Sequence, residues 1–337
     1  MTPSPDRPIF KLLISLHHEF DLWRVPAWFA ERLRKEFPQV DVVNLTSCDV
    51  SDEQIGDAEV VVSWLLSAEA AKAARKLRWL HCTSAAVHQL LYPEIVNSDI
   101  ILTNGSEVHA AVVAEHIIAL VLALARKLPE AARFQHRRFW GQQDIWRIQP
   151  RPREVAGATL GLIGLGNIGR EAARRASALG MRVIAVREHA EKGGPEGVAK
   201  VFAPAQLAEL LAESDYVVLA VPVTPATQNI INAERLSHMK PDARLINVGR
   251  GPLVDEGALI QALREGRIAG AALDVFMEEP LPSNSPLWDM EHVLITPHIA
   301  SNSDKQWERQ HALVAGNLRR YLNHEPLLSV VDKRRGY

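Results

Sequence analysis

The sequence predicts an α/β protein built from two doubly wound parallel sheets. Short apolar runs alternate with helical segments in two successive series, and a helix between two strands is the usual crossover of a parallel sheet. The chain of 337 residues is long enough for two domains. Apolar residues make up 47% of it and charged residues 23%, as in soluble globular proteins.

The first series covers about the first hundred residues. Its helical segments, "AWFAERLRKEF" (27–37) and "AEAAKAARKL" (68–77), separate apolar runs that are predicted to be short strands. These runs lie at 10–16, 40–45, 58–65, 78–83 and 99–104.

A long apolar segment, residues 108–127, joins the two series. It is long enough to span a bilayer, but Glu115 and His116 occupy its middle, and such groups are costly to place in lipid. We therefore predict a helix inside the protein and no membrane association.

The second series starts after the break marked by Pro150 and Pro152. Its spacing is typical of strand–helix–strand units, and an amphipathic helix at about 304–323 closes the chain. The predicted strands lie at 159–164, 182–187, 215–222, 243–249, 270–275 and 292–297.

Charge and cysteine content exclude several classes of function. The formal net charge of −2 gives no electrostatic basis for binding nucleic acid or an anionic membrane. Cys48 and Cys82, the two cysteines, lack metal-ligand and CxxC spacings, so no metal site is predicted and both are expected to be buried thiols. With no secretory signal pattern at the N-terminus, a cytoplasmic location is expected.

The segment "GLGNIG" predicts a dinucleotide-binding turn. Gly164, Gly166 and Gly169 follow an apolar strand and precede the helical "REAARRASALG". The first glycine permits the tight turn, the second lets the backbone approach a pyrophosphate, and the third lets helix and strand pack closely. The free amides and dipole of the helix start then favour the anion.

The end of the next strand bears on the choice of cofactor. An acidic residue there usually binds the ribose hydroxyls of NAD, but Arg187 occupies the position and Glu188 follows it. An arginine suits the 2′-phosphate of NADP, so NADP is favoured over NAD. In the alternative, Arg187 is a solvated charge and Glu188 binds the ribose.

Three side chains follow strand ends of the second series, where ligands bind in open parallel sheets. Arg250 is suited to grip a planar carboxylate and polarise the neighbouring carbonyl. His298 can exchange a proton with the carbonyl oxygen while hydride is transferred at carbon. Glu279 can fix the tautomer of that imidazole. Each has a simpler alternative when taken singly: Arg250 as a surface turn residue, Glu279 as a helix-start acid, and His298 as one of thirteen histidines without a special role.

Several segments together resemble the D-isomer-specific 2-hydroxyacid dehydrogenase family. They extend over most of residues 100–301 and include "NGSEVHAAVVAEH", "GLIGLGNIG", "VPVTPATQNIIN", "MKPDARLINVGRGPLVDEGALIQAL", "GAALDVFMEEPLP" and "PLWDMEHVLITPHIAS". The resemblance implies NAD(P)-dependent reduction of a small 2-oxo acid to a D-2-hydroxy acid, as in glyoxylate/hydroxypyruvate reductases. It makes Arg250 the substrate-binding group, Glu279 the orienting carboxylate and His298 the acid/base.

The resemblance also implies further contacts. Asn167 and Ile168 would lie against the pyrophosphate, and Asp274 near the nicotinamide amide, although a purely structural carboxylate is the alternative there. The residues expected to contact the cofactor are Gly164, Gly166, Asn167, Ile168, Gly169, Arg187, Pro222, Thr227, Val248, Gly249, Arg250, Asp274, His298 and Ser301. Those expected to contact substrate are Ala85, Ala86, Val87, Arg250 and His298.

The domain organisation follows from the same resemblance. The two domains would be Rossmann-like and flavodoxin-like, with the dinucleotide-binding domain, residues 105–301, inserted into a substrate domain made of residues 1–104 and 302–337. The helix beginning near Val108 would form part of a homodimer interface.

The first-series loops depart from the family pattern and bear on the substrate. Ala85-Ala86-Val87 replaces the usual Ala-Gly-Val, and alanine disfavours positive-φ conformations. "SWLLSAE", after the third strand, has Trp64, Leu65 and Leu66 where several relatives have a basic residue. A small or apolar 2-oxo acid is therefore favoured over a phosphorylated one, unless these three residues merely belong to the core.

Three other functions remain open on the same fold. A 3-phosphoglycerate dehydrogenase is one, although neither a regulatory domain nor a phosphorylated substrate is expected here. A dinucleotide-sensing corepressor that binds other proteins is the second, since such a protein can keep the whole triad. Oxidation of formate or phosphite is the third, but the intact Glu279 favours hydroxyacid chemistry.

Overall fold

The computed structural model describes residues 10–45 and 52–337, which divide into two compact units. Unit 1 takes the described residues up to His109 and those from Asn302 to Tyr337, and unit 2 is Ala110–Ser301. The expectation for Cys48 lies outside the described residues. Cys82 is a fully buried free thiol, as predicted.

Unit 1 contains a five-stranded parallel sheet in the order β2-β1-β3-β4-β5. The first series of the sequence supplies it, with helices between the strands. Its elements in this part of the chain are β1 Phe10–Ser15, α1 Ala27–Glu36, β2 Val40–Asn44, α2 Asp52–Gly56, β3 Ala58–Ser63, α3 Ala68–Ala73, β4 Trp79–Cys82, α4 Pro93–Val96 and β5 Ile101–Asn104.

Both faces of this sheet are covered, so its strands read as continuous apolar runs rather than alternating ones. Successive side chains of one strand enter opposite cores: Leu12 and Ile14 join the layer that includes α1, whereas Leu13 joins the layer on the other face. The last helix of the chain, Gln306–Leu322, packs in the same layer as α1 through residues such as Val314.

Unit 2 contains a seven-stranded parallel sheet in the order β12-β11-β10-β9-β6-β7-β8. Helices cover both of its faces. Its elements are α5 Ser106–Arg126, which begins in unit 1, then α6 Leu128–His136, α7 Gln142–Arg147, β6 Thr159–Ile163, α8 Asn167–Ala178, β7 Arg182–Val186, β8 Val198–Phe202, α9 Leu207–Glu213, β9 Tyr216–Leu219, α10 Ala233–Ser237, β10 Arg244–Asn247, α11 Glu256–Arg264, β11 Gly270–Leu273 and β12 Val293–Ile295. The final helix is α12.

The order of strands in unit 2 reverses beside β6. The chain runs outward from β6 to β7 and β8, and then returns to place β9 on the other side of β6. Such a switch point opens a crevice at the carboxyl ends of the strands, where ligands bind in doubly wound sheets. The predicted fold class, two doubly wound parallel sheets, is confirmed.

Helix α5 is apolar and long enough to cross a membrane by length and composition alone. Half of its most apolar window is buried within the protein, and Val113, Ile117 and Leu124 belong to a core layer of unit 2. Helix α5 therefore packs against the hydrophobic core of unit 2.

Candidate active site

The glycine turn lies at the carboxyl end of β6, beside the switch point of the sheet. Gly164 has φ +107°, and a β-carbon there would come within 2.4 Å of the Ala220 carbonyl oxygen. A β-carbon on Gly169 would come within 2.2 Å of the Gly164 carbonyl oxygen. Gly166 differs from both, because no atom lies within 4 Å of its built β-carbon.

Gly166 is also the N-cap of α8, so the open space lies at the start of that helix. The unpaired amides of the first turn and the helix dipole favour an anion there. Asn167 and Ile168, the first residues of α8, are half-buried. The turn therefore fits the pyrophosphate of a dinucleotide.

Arg187 follows β7 directly and is half-buried. Its amide donates to the Phe202 carbonyl oxygen at 3.2 Å, and its Nη1 donates to the Gly193 carbonyl oxygen at 3.2 Å. The guanidinium is thus held in the loop after the second strand of the dinucleotide fold. Glu188 beside it is exposed.

A hydroxyl orders the loop that follows β9. Thr227 Oγ1 donates to the Pro222 carbonyl oxygen at 2.7 Å and accepts from the Thr224 amide at 2.8 Å. Val248 is buried after β10, and Gly249 is half-buried. The loops after β9 and β10 start side by side at the carboxyl edge of the sheet, because β9 and β10 are neighbouring parallel strands.

His298 and Glu279 form the closest polar contact of the site. His298 Nδ1 lies 2.5 Å from Glu279 Oε2, and the other Glu279 oxygen accepts the Phe276 amide at 3.0 Å. Because an ionised carboxylate only accepts, Nδ1 carries the hydrogen and Nε2 is the nitrogen left to exchange a proton. The histidine side chain is 41% exposed, so that nitrogen is accessible to a ligand.

Arg250 is held in the loop after β10. Its Nη1 donates to the Gly249 carbonyl oxygen at 2.7 Å, and its own carbonyl oxygen accepts from the Asn247 side-chain amide at 3.0 Å. Burial lowers the pKa of Arg250, whereas Glu279 and Asp274 raise it. The guanidinium stays charged at neutral pH, because its ordinary pKa lies far above it.

Gly251 brings the arginine loop against the loop that carries Glu279. A β-carbon at this position would lie 1.9 Å from the Phe276 carbonyl oxygen. The backbones after β10 and β11 therefore touch, and the three predicted catalytic residues all lie on loops at one edge of the unit 2 sheet.

Asp274 anchors the segment that contains His298. Its carboxylate is fully buried and accepts the Thr296 hydroxyl at 2.6 Å and the amides of Ile299 and Ala300 at 2.9 and 3.0 Å. The His298 amide donates to the Asp274 carbonyl oxygen at 2.9 Å. Ser301, predicted to contact the cofactor, is half-buried at the end of this segment.

The sequence analysis missed one partner of this network. His116 Nε2 lies 3.2 Å from Thr296 Oγ1 and 3.5 Å from Asp274 Oδ1. Burial lowers the pKa of His116, and the Asp274 charge raises it. A histidine inside an apolar helix was the available signal, but it served only as an argument against a membrane span.

The substrate-loop residues belong to unit 1 and follow β4. The carbonyl oxygen of Ala85 accepts from Asn104 Nδ2 at 2.9 Å, and that of Ala86 accepts from Gln89 Nε2 at 3.4 Å. Val87 is buried. Neither alanine has a positive φ, so the departure from Ala-Gly-Val introduces no left-handed strain.

Burial raises the pKa of the Cys82 thiol, at the end of β4, to about 12. It therefore stays protonated at neutral pH and is a poor nucleophile. Within residues 10–45 and 52–337, no group of three or more His, Cys, Asp or Glu side chains is placed to hold a metal ion.

This fold, with a glycine turn at the switch point and a carboxylate-paired histidine at the same edge of the sheet, defines an NAD(P)-dependent oxidoreductase. A sequence model described as the D-isomer specific 2-hydroxyacid dehydrogenase NAD binding domain matches residues 118–300. Glyoxylate reductase from Korarchaeum cryptofilum is 35% identical over 322 residues, which are 93% of this chain and 89% of the relative. The chain therefore belongs to the D-isomer-specific 2-hydroxyacid dehydrogenase family.

Solved structures agree with this assignment. A family member from Xanthobacter autotrophicus Py2, in complex with NADPH and MES, superposes with a TM-score of 0.82 at 31% identity, covering 97% of this chain and 99% of that one. The NADPH-dependent glyoxylate/hydroxypyruvate reductase from Sinorhizobium meliloti, in complex with NADP and sulfate, gives a TM-score of 0.81 at 27% identity. It covers 97% of this chain and 100% of that one.

Proposed function

We propose that the chain reduces a 2-oxo acid to the D-2-hydroxy acid with NADPH, and that Arg250, Glu279 and His298 are its catalytic residues. The observation that carries the proposal is the 2.5 Å contact between Glu279 and His298 Nδ1. A carboxylate that fixes one imidazole nitrogen leaves the other oriented for proton transfer, and it stabilises the imidazolium.

Each residue has one role in this scheme. Arg250 binds the substrate carboxylate and polarises the adjacent carbonyl. A nicotinamide dinucleotide held at the glycine turn would supply the hydride for the carbonyl carbon. His298 gives its Nε2 proton to the carbonyl oxygen, and Glu279 balances the charge of the protonated ring. The reverse reaction uses His298 as the base.

Arg187 supports NADP as the preferred cofactor. Its guanidinium, held by the Gly193 carbonyl oxygen, is available to pair with a 2′-phosphate. Both solved relatives described above contain an NADP cofactor. We expect Arg187→Gln to lower kcat/KM for NADPH by roughly tenfold, since one charge-assisted pair is lost. The NADH value should stay within about threefold, and Arg174→Gln, at an exposed position of α8, is the control.

The carboxyl edge of the unit 1 sheet supports an uncharged substrate side chain. His18 and Trp23, after β1, contact Trp64, after β3, with ring centroids 5.5 and 6.1 Å away. Leu65 is 56% exposed, whereas Leu66 is buried in the core. This edge suits glyoxylate, hydroxypyruvate or an aliphatic 2-oxo acid, with Ala85–Val87 supplying backbone contacts, better than it suits 3-phosphoglycerate.

A homodimer and a cytoplasmic location remain part of the proposal. Unit 2 exposes large apolar side chains on and around α6 and α7, including Leu128, Phe139, Trp140 and Trp146, each more than half exposed. Such a patch is typical of a protein–protein interface. Sedimentation equilibrium at micromolar concentration tests this part, and a monomer would contradict it.

A spectrophotometric panel tests the proposed reaction. NADPH and NADH oxidation is followed with glyoxylate, hydroxypyruvate, pyruvate, 2-oxoisovalerate, phenylpyruvate and 3-phosphohydroxypyruvate. Turnover of at least one unphosphorylated acid is expected. His298→Ala should lower kcat by roughly two to four orders of magnitude and leave the NADPH dissociation constant within about twofold. Equal loss of both would make His298 structural, and no turnover with any acid would favour a corepressor-like binding protein.

A further inference from the structure

A small cavity lies at the amino-terminal edge of the unit 2 sheet, the edge opposite to the catalytic side chains. Arg244 is the first residue of β10, and His292 directly precedes β12. The cavity is partly open to solvent, and its polar lining comprises Lys127, Glu130, Arg244, Glu291 and His292.

Arg244 is the unusual member of this lining. It is only 2% exposed, and its guanidinium lies 5.7 Å from the centre of the Tyr216 ring. Nη1 makes one long contact, 3.5 Å, with the Asp242 carbonyl oxygen. Nη2 is buried and has no hydrogen-bond partner in the described part of the chain. Burial lowers the pKa of Arg244, as a desolvated cation requires.

Two of the nearby carboxylates, those of Glu130 and Asp242, are already paired with other cations, and the third, that of Glu291, is exposed. Lys127, 5% exposed, lies 3.3 Å from Glu130 Oε1. Arg153 forms an ion pair with Asp242. Glu291 is exposed, and the Arg133 guanidinium donates to its carbonyl oxygen. Among the described residues of this cavity, Arg244 is therefore a buried cation that forms no ion pair with a carboxylate.

A buried charge without a counter-charge is unfavourable, and proteins normally pair such a group or bind an ion to it. A guanidinium presents its donors as a fork that matches the oxygens of an oxyanion. His292 Nε2, on the same wall, is likewise buried without a partner in the described residues, and it becomes a donor when the ring is protonated.

We propose that this cavity is a binding site for a compact inorganic oxyanion of the phosphate or sulfate class, held by Arg244 with Lys127 beside it. The bound anion would complete the charge balance at the amino ends of β10 and β12. This site is separate from the catalytic edge and does not depend on the proposed reaction.

The test measures binding of inorganic phosphate to the full chain by isothermal titration calorimetry. Saturating NADPH is present so that the glycine turn is occupied, and ionic strength is held constant. Saturable binding is expected, with sulfate competing and chloride at equal ionic strength not reproducing it. Arg244→Gln should raise the dissociation constant at least tenfold, and Arg320→Gln, at a partly exposed position of unit 1, should leave it within twofold.

If Arg244→Gln does not fold, phosphate binding is measured with two other variants. Arg244→Lys retains the charge without the fork and should bind phosphate more weakly but saturably. Lys127→Met should weaken binding several-fold. Non-saturable heats in the wild-type protein, or the same dissociation constant in the wild type and in both Arg244→Lys and Lys127→Met, would overturn the site.

Discussion

His298 has a backbone conformation that residues with a β-carbon rarely adopt, with φ at +52°. Such a conformation costs about 1–3 kcal/mol and persists only where the surroundings fix it. Here Asp274 fixes it, since its carboxylate and carbonyl oxygens accept hydrogen bonds from both sides of the histidine. The backbone that positions the imidazole of His298, the proposed acid/base, is therefore fixed by Asp274, a buried residue with which the ring itself forms no hydrogen bond.

Replacing Asp274 by Asn tests this positioning. The asparagine side chain has only one acceptor oxygen. Its NH2 group would face a backbone amide or the Thr296 hydroxyl, which are themselves donors in the native structure. We expect kcat to fall about 10- to 100-fold and the free energy of unfolding to fall by about 2 kcal/mol, the order expected for buried hydrogen bonds. Steady-state kinetics and chemical denaturation measure the two effects.

The control for Asp274→Asn is Asp289→Asn at an exposed position. It should change neither kcat nor stability. If Asp274→Asn weakened NADPH binding while kcat remained at the wild-type level, Asp274 would act on the cofactor, as the family resemblance implies, and not on the loop.

Candidate site residues that directly follow a strand can be identified from the sequence. Residues that join the site through contacts between distant parts of the chain cannot. Arg250, Glu279 and His298 could be selected because each follows an apolar strand of one series. His116 could not, because its contacts with Asp274 and Thr296 bridge 158 and 180 positions of the chain. Only the packing of α5 on the sheet brings them together.

In the turn between β6 and α8, two glycines are required for different steric reasons. Gly169 has the Gly164 carbonyl oxygen where its β-carbon would be, whereas Gly166 faces open space. We expect Gly169→Ala to lower both the melting temperature and NADPH affinity, because α8 must move off β6.

Gly166→Ala should leave the melting temperature of the cofactor-free protein within about 1 °C, since nothing in the chain is displaced. Its NADPH dissociation constant should rise by about tenfold, because the added methyl group meets the pyrophosphate. Thermal unfolding with and without NADPH separates the two variants. A loss of stability in Gly166→Ala without cofactor would contradict the assignment of this space to a ligand.

Strands that are buried on both faces could be predicted from their continuous apolar runs, whereas an exposed edge strand and the exact end of a helix could not. Of the strands in the described residues, all except β8 lie within the predicted apolar runs. Strand β8 was missed because "VAKVF" is an edge strand with an exposed middle, so it lacks a continuous apolar run. The predicted helix 68–77 ends already at Ala73, because the chain turns there to enter β4.

For the whole molecule, buried histidines make stability depend on pH. His81 is fully buried between Thr103 Oγ1 at 2.9 Å and Gln310 Oε1 at 3.2 Å. Burial lowers the pKa of His81 to about 4, below its ordinary value. The unfolded chain therefore binds more protons between pH 6.5 and 4, and stability falls as the pH drops through that window.

This difference predicts a loss of about 2 kcal/mol of unfolding free energy for unit 1 between pH 7 and pH 5 from His81 alone. Urea denaturation at both pH values measures it. His81→Gln should flatten the dependence by about that amount, whereas His324→Gln, at an exposed position, should not. An unchanged slope in His81→Gln would contradict the assignment.

The contact at Gly251 has a practical consequence for altering this enzyme. The Phe276 carbonyl oxygen occupies the volume of any side chain at position 251, so a randomised library there should return the parental amino acid almost exclusively. Attempts to change the range of the proposed 2-oxo acid substrates are better directed at Leu65, Ala85 and Ala86, which lie outside the buried core. Substitutions there leave the contact between the arginine loop and the Glu279 loop unchanged.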